Sequence, residues 1–281
     1  MQNKTQIQNQ INKNNFRVKK QYGQNFLSDH SIVVKIAELS NINKEMVVVE
    51  IGPGLGALTK ELLDRSKKVV AYEIDSEVIP ILKDNLKQYD NLEIVNEDIL
   101  KTDINKITEI KEDCISVANL PYYITSPIID LFLKKMKNVR KGVYMVQKEV
   151  ADRICAPVGT KDYNSFSILV QYYASCKKIL NVPRTCFVPA PNVDSAVIEL
   201  EKIERSFKPD NEDFFIKVVE SSFKERRKML VNNLSSSLNI SKEKIRNILT
   251  NLEIKEDVRG EVLSIDDFIN LSNELNSIIN G

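Results

Sequence analysis

Four short segments of this chain end an apolar run on residues able to grip a ligand. In "VANLPYYITSPII", residues 117–129, the run stops at Asn119, Leu120, Pro121 and Tyr122. The side-chain carbonyl of Asn119 and the main-chain carbonyl of Leu120, held by the fixed φ of Pro121, offer two acceptors to one amine. An exocyclic amine on a purine ring is a poor nucleophile because its lone pair is delocalised. Two acceptors gripping its hydrogens turn that lone pair toward an incoming methyl group and stabilise positive charge as it develops on nitrogen. Tyr122 supplies a ring to stack on the base. The bland alternative is a strand that simply ends in a turn.

In "EIGPGLGALT", residues 50–59, Gly52, Gly54 and Gly56 lie between a strand and a helix. Missing side chains there let backbone N–H groups and a helix N-terminus approach a ligand. Gly52, Gly54 and Ala57 also satisfy a dinucleotide fingerprint, so the loop alone leaves a nicotinamide oxidoreductase open. Glu73 stands 21 residues beyond Gly52, at the end of the next strand. It suits a carboxylate accepting both hydroxyl hydrogens of a ribose, with a solvated loop acid as its alternative. Asp98, in "NEDIL", closes a third strand, where it can accept from an adenine amine or merely cap a turn. Together these strand ends point to an adenosyl ligand.

The elements that must position them follow from periodicity. "MVVVEI" reads as a buried strand, "KVVAYEID", "LEIVNEDIL" and "CISVANLPY" as three further strands, and "ALTKELLDRS" and "SEVIPILKDNL" as helices between them. Strand and helix alternating at this spacing predict a mostly parallel α/β sheet with helices on both faces, whose ligands sit at the carboxyl ends of the strands. "KILNVPRTCFVPAPNVDSAVIELEKI" adds two β-rich runs that suit an antiparallel sheet edge. Beyond "ERSFKPDNED" only helical patterns remain, over 212–223, 225–238, 241–252 and 264–279, the last opened by Ser264 and Asp267 as a capping box variant. The expected organisation is a disordered basic tail over 1–18, an α/β domain over 19–204 and a small all-helical domain over 205–281. Within "FKERRK", Arg226, Arg227 and Lys228 form a cluster that can neutralise phosphates, or be a solvated helix face.

Composition narrows the chemistry. The 281 residues carry a net charge of +1, so an RNA partner must be met by local basic patches. The first 28 residues hold five basic side chains and no acid, leaving the remainder at −4. One histidine, His30, argues against a Ser-His-Asp triad or a multi-histidine metal site. Cys114, Cys155, Cys176 and Cys186 form no C-x-x-C pair and read as reduced thiols of a cytoplasmic protein. No apolar run reaches the roughly 18 residues of a membrane span, so no membrane partner is expected. Nothing in the pattern demands a dimer, and a monomer is expected.

The motifs, with "GQNFL" (23–27), "QKEVADRI" (147–154), "GTKDYNSFSILVQYYA" (159–174), "FVPAPNVDSAV" (187–197) and "FKERRKMLVNNL" (223–234), resemble those of the ribosomal RNA adenine N6-dimethyltransferases. These are Rossmann-like enzymes that use S-adenosylmethionine. The resemblance covers roughly residues 18–275 and is strongest to the bacterial small-subunit branch. It implies that Asn25 and Leu27 close over the cofactor, Gly52 meets its methionine part, Glu73 the ribose and Asp98 the adenine. Asn119 would serve both cofactor and target, Leu120 to Tyr122 would grip the target base, and Phe187 would stack on its other face. The implied substrate is a pair of adjacent adenosines in the 3′-terminal hairpin loop of 16S rRNA within the small subunit or its precursor, each dimethylated on N6 without a metal. The rival within the family is the 23S rRNA enzyme of macrolide resistance, whose fourth motif more often reads N-I-P-Y where this chain has Leu120. A non-enzymatic role, binding during ribosome assembly, is the alternative from a different class.

Overall fold

The computed structural model describes residues 5, 19, 24–103 and 105–280. Apart from residue 5, the tail expected over 1–18 lies outside the described residues. The chain divides into two compact units, Met1–Ala151 with Ser175–Lys202, and Asp152–Ala174 with Ile203–Gly281.

The first unit is built on strands β1 (Phe26–Leu27), β2 (Val47–Ile51), β3 (Lys68–Tyr72), β4 (Leu92–Val95), β5 (Cys114–Asn119), β6 (Val139–Gln147), β7 (Ala174–Val182), β8 (Phe187–Val188) and β9 (Ser195–Lys202). Seven of them form one sheet in the order β4-β3-β2-β5-β6-β9-β7, while β1 pairs with β8 in a separate ribbon. The β3–β2, β2–β5, β3–β4 and β5–β6 pairs are parallel and β9 runs antiparallel to β6, as the alternating pattern and the late β-rich runs predict. Strand β2 is buried at all five positions, which is why it reads as a continuous apolar run rather than an alternating one. Its register sets Ile51 beside Tyr72, and β4 sets Val95 beside Tyr72 in turn. The carboxyl ends of β2, β3, β4 and β5 therefore open on one edge of the sheet. Helices α1 (His30–Leu39), α2 (Ala57–Leu63) and α3 (Ile79–Asn85) pack into the same core through Val33, Ile36, Leu58, Leu62 and Leu82.

The second unit has its own core, in which Phe215, Val218, Leu234, Ile245, Leu249 and Phe268 are buried. Its main piece begins at Ile203, close to the 205 expected, but it also takes in a segment from within the expected α/β domain. The segment Asp152–Ala174 belongs here because the helix Ser165–Tyr173 buries Ile168 and Tyr172 in this core, with the Tyr172 and Phe215 ring centroids 4.8 Å apart. The expected helix over 225–238 is also shorter and runs Leu230–Leu238. Residues 223–229 form a turn that Asn233 ties down: its Nδ2 donates to the Ser222 carbonyl at 2.8 Å and the Glu225 carbonyl at 3.1 Å, and its Oδ1 accepts from Glu225 N at 3.3 Å. At Ser264 the capping box is present, with Ser264 N donating to Asp267 Oδ2 at 2.8 Å and Asp267 N to Ser264 Oγ at 3.1 Å. No helix among the described residues is long and apolar enough to cross a membrane.

Candidate functional site

A cavity of about 270 Å³ opens at the carboxyl edge of the sheet. Asn25, Leu27, Gly52, Gly54, Glu73, Asp98, Asn119, Leu120, Pro121 and Tyr122 all line it, so nearly every site residue expected from the sequence converges there. The glycine loop turns through backbone angles open to few side chains: φ is +69° at Gly52, +56° at Gly54 and +87° at Gly56. At Gly56 an added Cβ would also lie 2.8 Å from Leu82 Cδ1, so a side chain there would have to displace the leucine as well as adopt a strained φ.

Each polar group at the site is held by its surroundings. Glu73, 6% exposed, accepts from Gly54 N through Oε2 at 3.2 Å and from Asp75 N through Oε1 at 2.9 Å. Its backbone carbonyl accepts from Asn96 Nδ2 at 2.8 Å. Burial pushes its pKa up against the pull of those N–H donors. Each oxygen keeps a second lone pair for a ligand hydroxyl. Asp98 caps a turn and also lines the cavity. Its Oδ1 accepts from Leu100 N at 3.0 Å.

At the end of β5, Asn119 Nδ2 donates to the Asn25 carbonyl at 3.2 Å. That bond decides which way the amide points, and Asn119 Oδ1 accepts no hydrogen bond among the described residues. Leu120 N is taken by the Met145 carbonyl at 3.0 Å. Pro121, at φ −59° and ψ 129°, then turns the chain into a 3₁₀ turn, Tyr122–Ile124, closed by Ile124 N donating to the Pro121 carbonyl at 3.1 Å. The Tyr122 hydroxyl lies 2.7 Å from Ser195 Oγ at the start of β9. Exposed apolar side chains of Ile74, Leu100 and Tyr123 rim the opening.

Two residues that the motif reading passed over matter here. Glu50 is 1% exposed, lines the cavity, and its Oε2 has no hydrogen-bond partner. Burial pushes its pKa up to about 8, with the charge of Glu73 adding to the push. A charged residue in the otherwise apolar "VVVEI" was the signal. Ser195 is the other; nothing local in "VDSAV" marks it as the partner of Tyr122.

Of the residues expected at the cofactor and base, Phe187 is absent from the lining. Phe187 is 2% exposed and packs in the core cluster that contains Leu27, whose backbone it pairs across the β1–β8 ribbon. Arg226, Arg227 and Lys228 are exposed on the second unit's turn, where Arg226 donates to the Lys161 carbonyl and Lys228 pairs with Glu225 at 2.6 Å.

The lining has four carboxyls, Glu50, Glu73, Glu97 and Asp98, and no Lys, Arg or His. Such a wall suits a cationic ligand and opposes the pyrophosphate of a dinucleotide, which the glycine loop alone had left open. S-adenosylmethionine fits on these grounds: Glu50 Oε2 is a buried polar atom left without a partner in the protein, and Glu73 has two oxygens for a ribose.

Comparison with known proteins agrees. The family described as "Ribosomal RNA adenine dimethylase" matches residues 15–277. The chain is 46% identical to "Ribosomal RNA small subunit methyltransferase A" of Geobacillus sp. (strain WCH70), over 96% of this chain and 95% of that protein. It is 48% identical to the protein of that name from Anoxybacillus flavithermus, over 94% and 92%. Among solved structures, a dimethyladenosine transferase from Plasmodium falciparum superposes with a TM-score of 0.74 at 30% identity, over 90% of this chain and 98% of that one. The 23S rRNA methyltransferase ErmE superposes with a TM-score of 0.71 at 25% identity, over 90% and 100%. The fold is the Rossmann-like methyltransferase fold those structures share.

Proposed function

Since this chain belongs to the ribosomal RNA adenine dimethylase family, we propose that it dimethylates N6 of two adjacent adenosines in the 3′-terminal hairpin loop of 16S rRNA, acting as a cytoplasmic monomer on the small subunit or its precursor. The choice of 16S over 23S rRNA is supported by the names of the relatives at 46–48% identity, against 25% for the 23S enzyme. S-adenosylmethionine is the proposed donor, held by Asn25, Leu27, Gly52, Gly54, Glu73 and Asp98, with Glu50 beneath it. When bound it supplies a methyl group made electrophilic by a sulfonium.

The observation that carries the reading is the tethered amide of Asn119 beside the main-chain carbonyl of Leu120. With Nδ2 committed to Asn25, Oδ1 is the half of the side chain left for the target amine. Two fixed acceptors hold both amine hydrogens, aim the nitrogen lone pair, and meet the positive charge that grows there during transfer. Because those acceptors are already oriented, little reorganisation accompanies the reaction. Tyr122, held by Ser195, presents its ring to the flipped base. Arg226, Arg227 and Lys228 neutralise phosphates without reading bases.

The test is methyl transfer from labelled S-adenosylmethionine to small and, separately, large ribosomal subunits from cells lacking this methylation, followed by nucleoside analysis. Label is expected as N6,N6-dimethyladenosine in small subunits only. Asn119→Ala should lower turnover by about a hundredfold or more, the scale for one preorganised transition-state contact. Label in large subunits would overturn the choice of substrate, and undiminished turnover in Asn119→Ala would overturn the role of the amide.

A further inference from the structure

Asp75 is 1% exposed, two residues beyond Glu73, and does not line the cavity. Both of its oxygens are nonetheless spent on polar partners. Its Oδ1 accepts from Lys19 Nζ at 2.8 Å and from Glu77 N at 3.2 Å, and its Oδ2 accepts from Gln24 Nε2 at 2.8 Å. Gln24 Oε1 in turn accepts from Lys19 N at 2.8 Å. On the other side, Asp75 N is the donor to Glu73 Oε1.

Followed outward, these bonds connect the two halves of the proposed site. Gln24 precedes Asn25, whose carbonyl fixes the Asn119 amide. From Asp75 one path runs through a main-chain N–H to Glu73. The other runs through Gln24 and Asn25 to Asn119. We infer that Asp75 is a positioning residue that couples the ribose-binding carboxylate to the orientation of the amide that grips the target amine. It does so by clamping the 24–25 segment across the mouth of the cavity.

A carboxylate is required for the role. Both oxygens must accept, one from an ammonium and one from an amide, and an Asn in its place turns one acceptor into a donor facing another donor. Burial alone would raise the pKa of this carboxyl, but the Lys19, Gln24 and Glu77 hydrogen bonds together outweigh burial and hold it below the usual carboxylate range. It is therefore ionised wherever the enzyme works. The inference rests on the proposed function in one respect, that the cavity takes the methyl donor.

The experiment is calorimetric binding of S-adenosylhomocysteine to the wild type, Asp75→Asn, Gln24→Ala and the double variant, alongside methyl transfer with each substrate varied in turn. Asp75→Asn is expected to weaken binding about tenfold, the scale of one charge-assisted hydrogen bond. It should also lower kcat while leaving the KM for subunits unchanged, a split that general destabilisation would not produce. The double variant should bind no more weakly than Asp75→Asn alone, because both changes break one path. Gln24→Ala leaves Asp75 and its other partners in place and carries the same expectation at smaller size, so an Asp75→Asn chain that fails to fold does not remove the test. Unchanged affinity in both single variants, or strictly additive effects in the double, would overturn the inference while the proposed function stood. A wild type that bound no S-adenosylhomocysteine would overturn both.

Discussion

The polar groups at the strand ends and the basic cluster at 226–228 are held in opposite ways. Glu73, Asp98 and Asn119 line the cavity, and each spends part of its hydrogen-bonding capacity on the protein's own backbone. Arg226, Arg227 and Lys228 are exposed on a turn that Asn233 fixes by bonding to backbone, and what their side chains meet lies at the surface: Arg226 the Lys161 carbonyl, Lys228 the Glu225 carboxylate. The first arrangement selects by geometry, since a group whose direction is set cannot follow a misplaced partner. The second selects by charge, which falls off gradually with distance and tolerates movement.

The contrast breaks most sharply at Glu73. On the proposed function, Glu73→Ala removes the carboxylate that meets the ribose and should raise the KM for S-adenosylmethionine by about ten- to a hundredfold, with the KM for subunits unchanged, the scale of one net hydrogen bond to a charged group, about 1.5–3 kcal/mol. Steady-state kinetics with each substrate varied separately checks this. A matching rise in both constants would mean that geometry at the strand ends also positions RNA.

A smaller effect belongs to the basic turn. Arg227→Ala should weaken subunit binding only a few-fold at physiological salt and reduce the slope of log affinity against log salt by about 0.7–0.9 for each phosphate no longer neutralised. The affinity for S-adenosylhomocysteine should not move. Filter binding across a salt series reads this directly, and an unchanged slope would leave the cluster as solvated surface.

The smallest is a dependence of stability on pH. Glu50 has a folded-state pKa of about 8, above that of an unfolded glutamate, so the folded chain holds the extra proton between those values. Its contribution is fully present in acid and is lost as pH rises toward and through 8. Glu50→Gln removes this loss, so the difference in Tm between variant and wild type should grow in the variant's favour from pH 5 to pH 8.5 in thermal melts. A constant difference would mean that Glu50 is ionised in the folded protein throughout that range.

Most of the sheet was legible because buried parallel strands announce themselves as unbroken apolar runs, and the rule that ligands sit at their carboxyl ends converts four runs into one site. What escaped is what depends on partners distant in sequence. Phe187 is an aromatic beside a proline-rich loop, and only the fold reveals its pairing with Leu27 and its place in the core cluster. The basic cluster looked helical by periodicity, but a buried Asn233 offers the backbone a better-satisfied turn. The segment Asp152–Ala174 joined the second unit for a related reason: a short amphipathic helix belongs to whichever core covers its apolar face, and the face of Ser165–Tyr173 meets Phe215. Glu50 was readable, but the glycines beside it drew the attention.

The tether between Asn119 and Asn25 carries one more consequence. An amide that cannot turn over offers the substrate oxygen and never nitrogen, so the site can hold only hydrogens. An unmodified adenosine brings two, its monomethylated form one, and the finished product none. On the proposed chemistry the grip therefore loosens by one bond with each round, and the enzyme counts to two by running out of anything to hold.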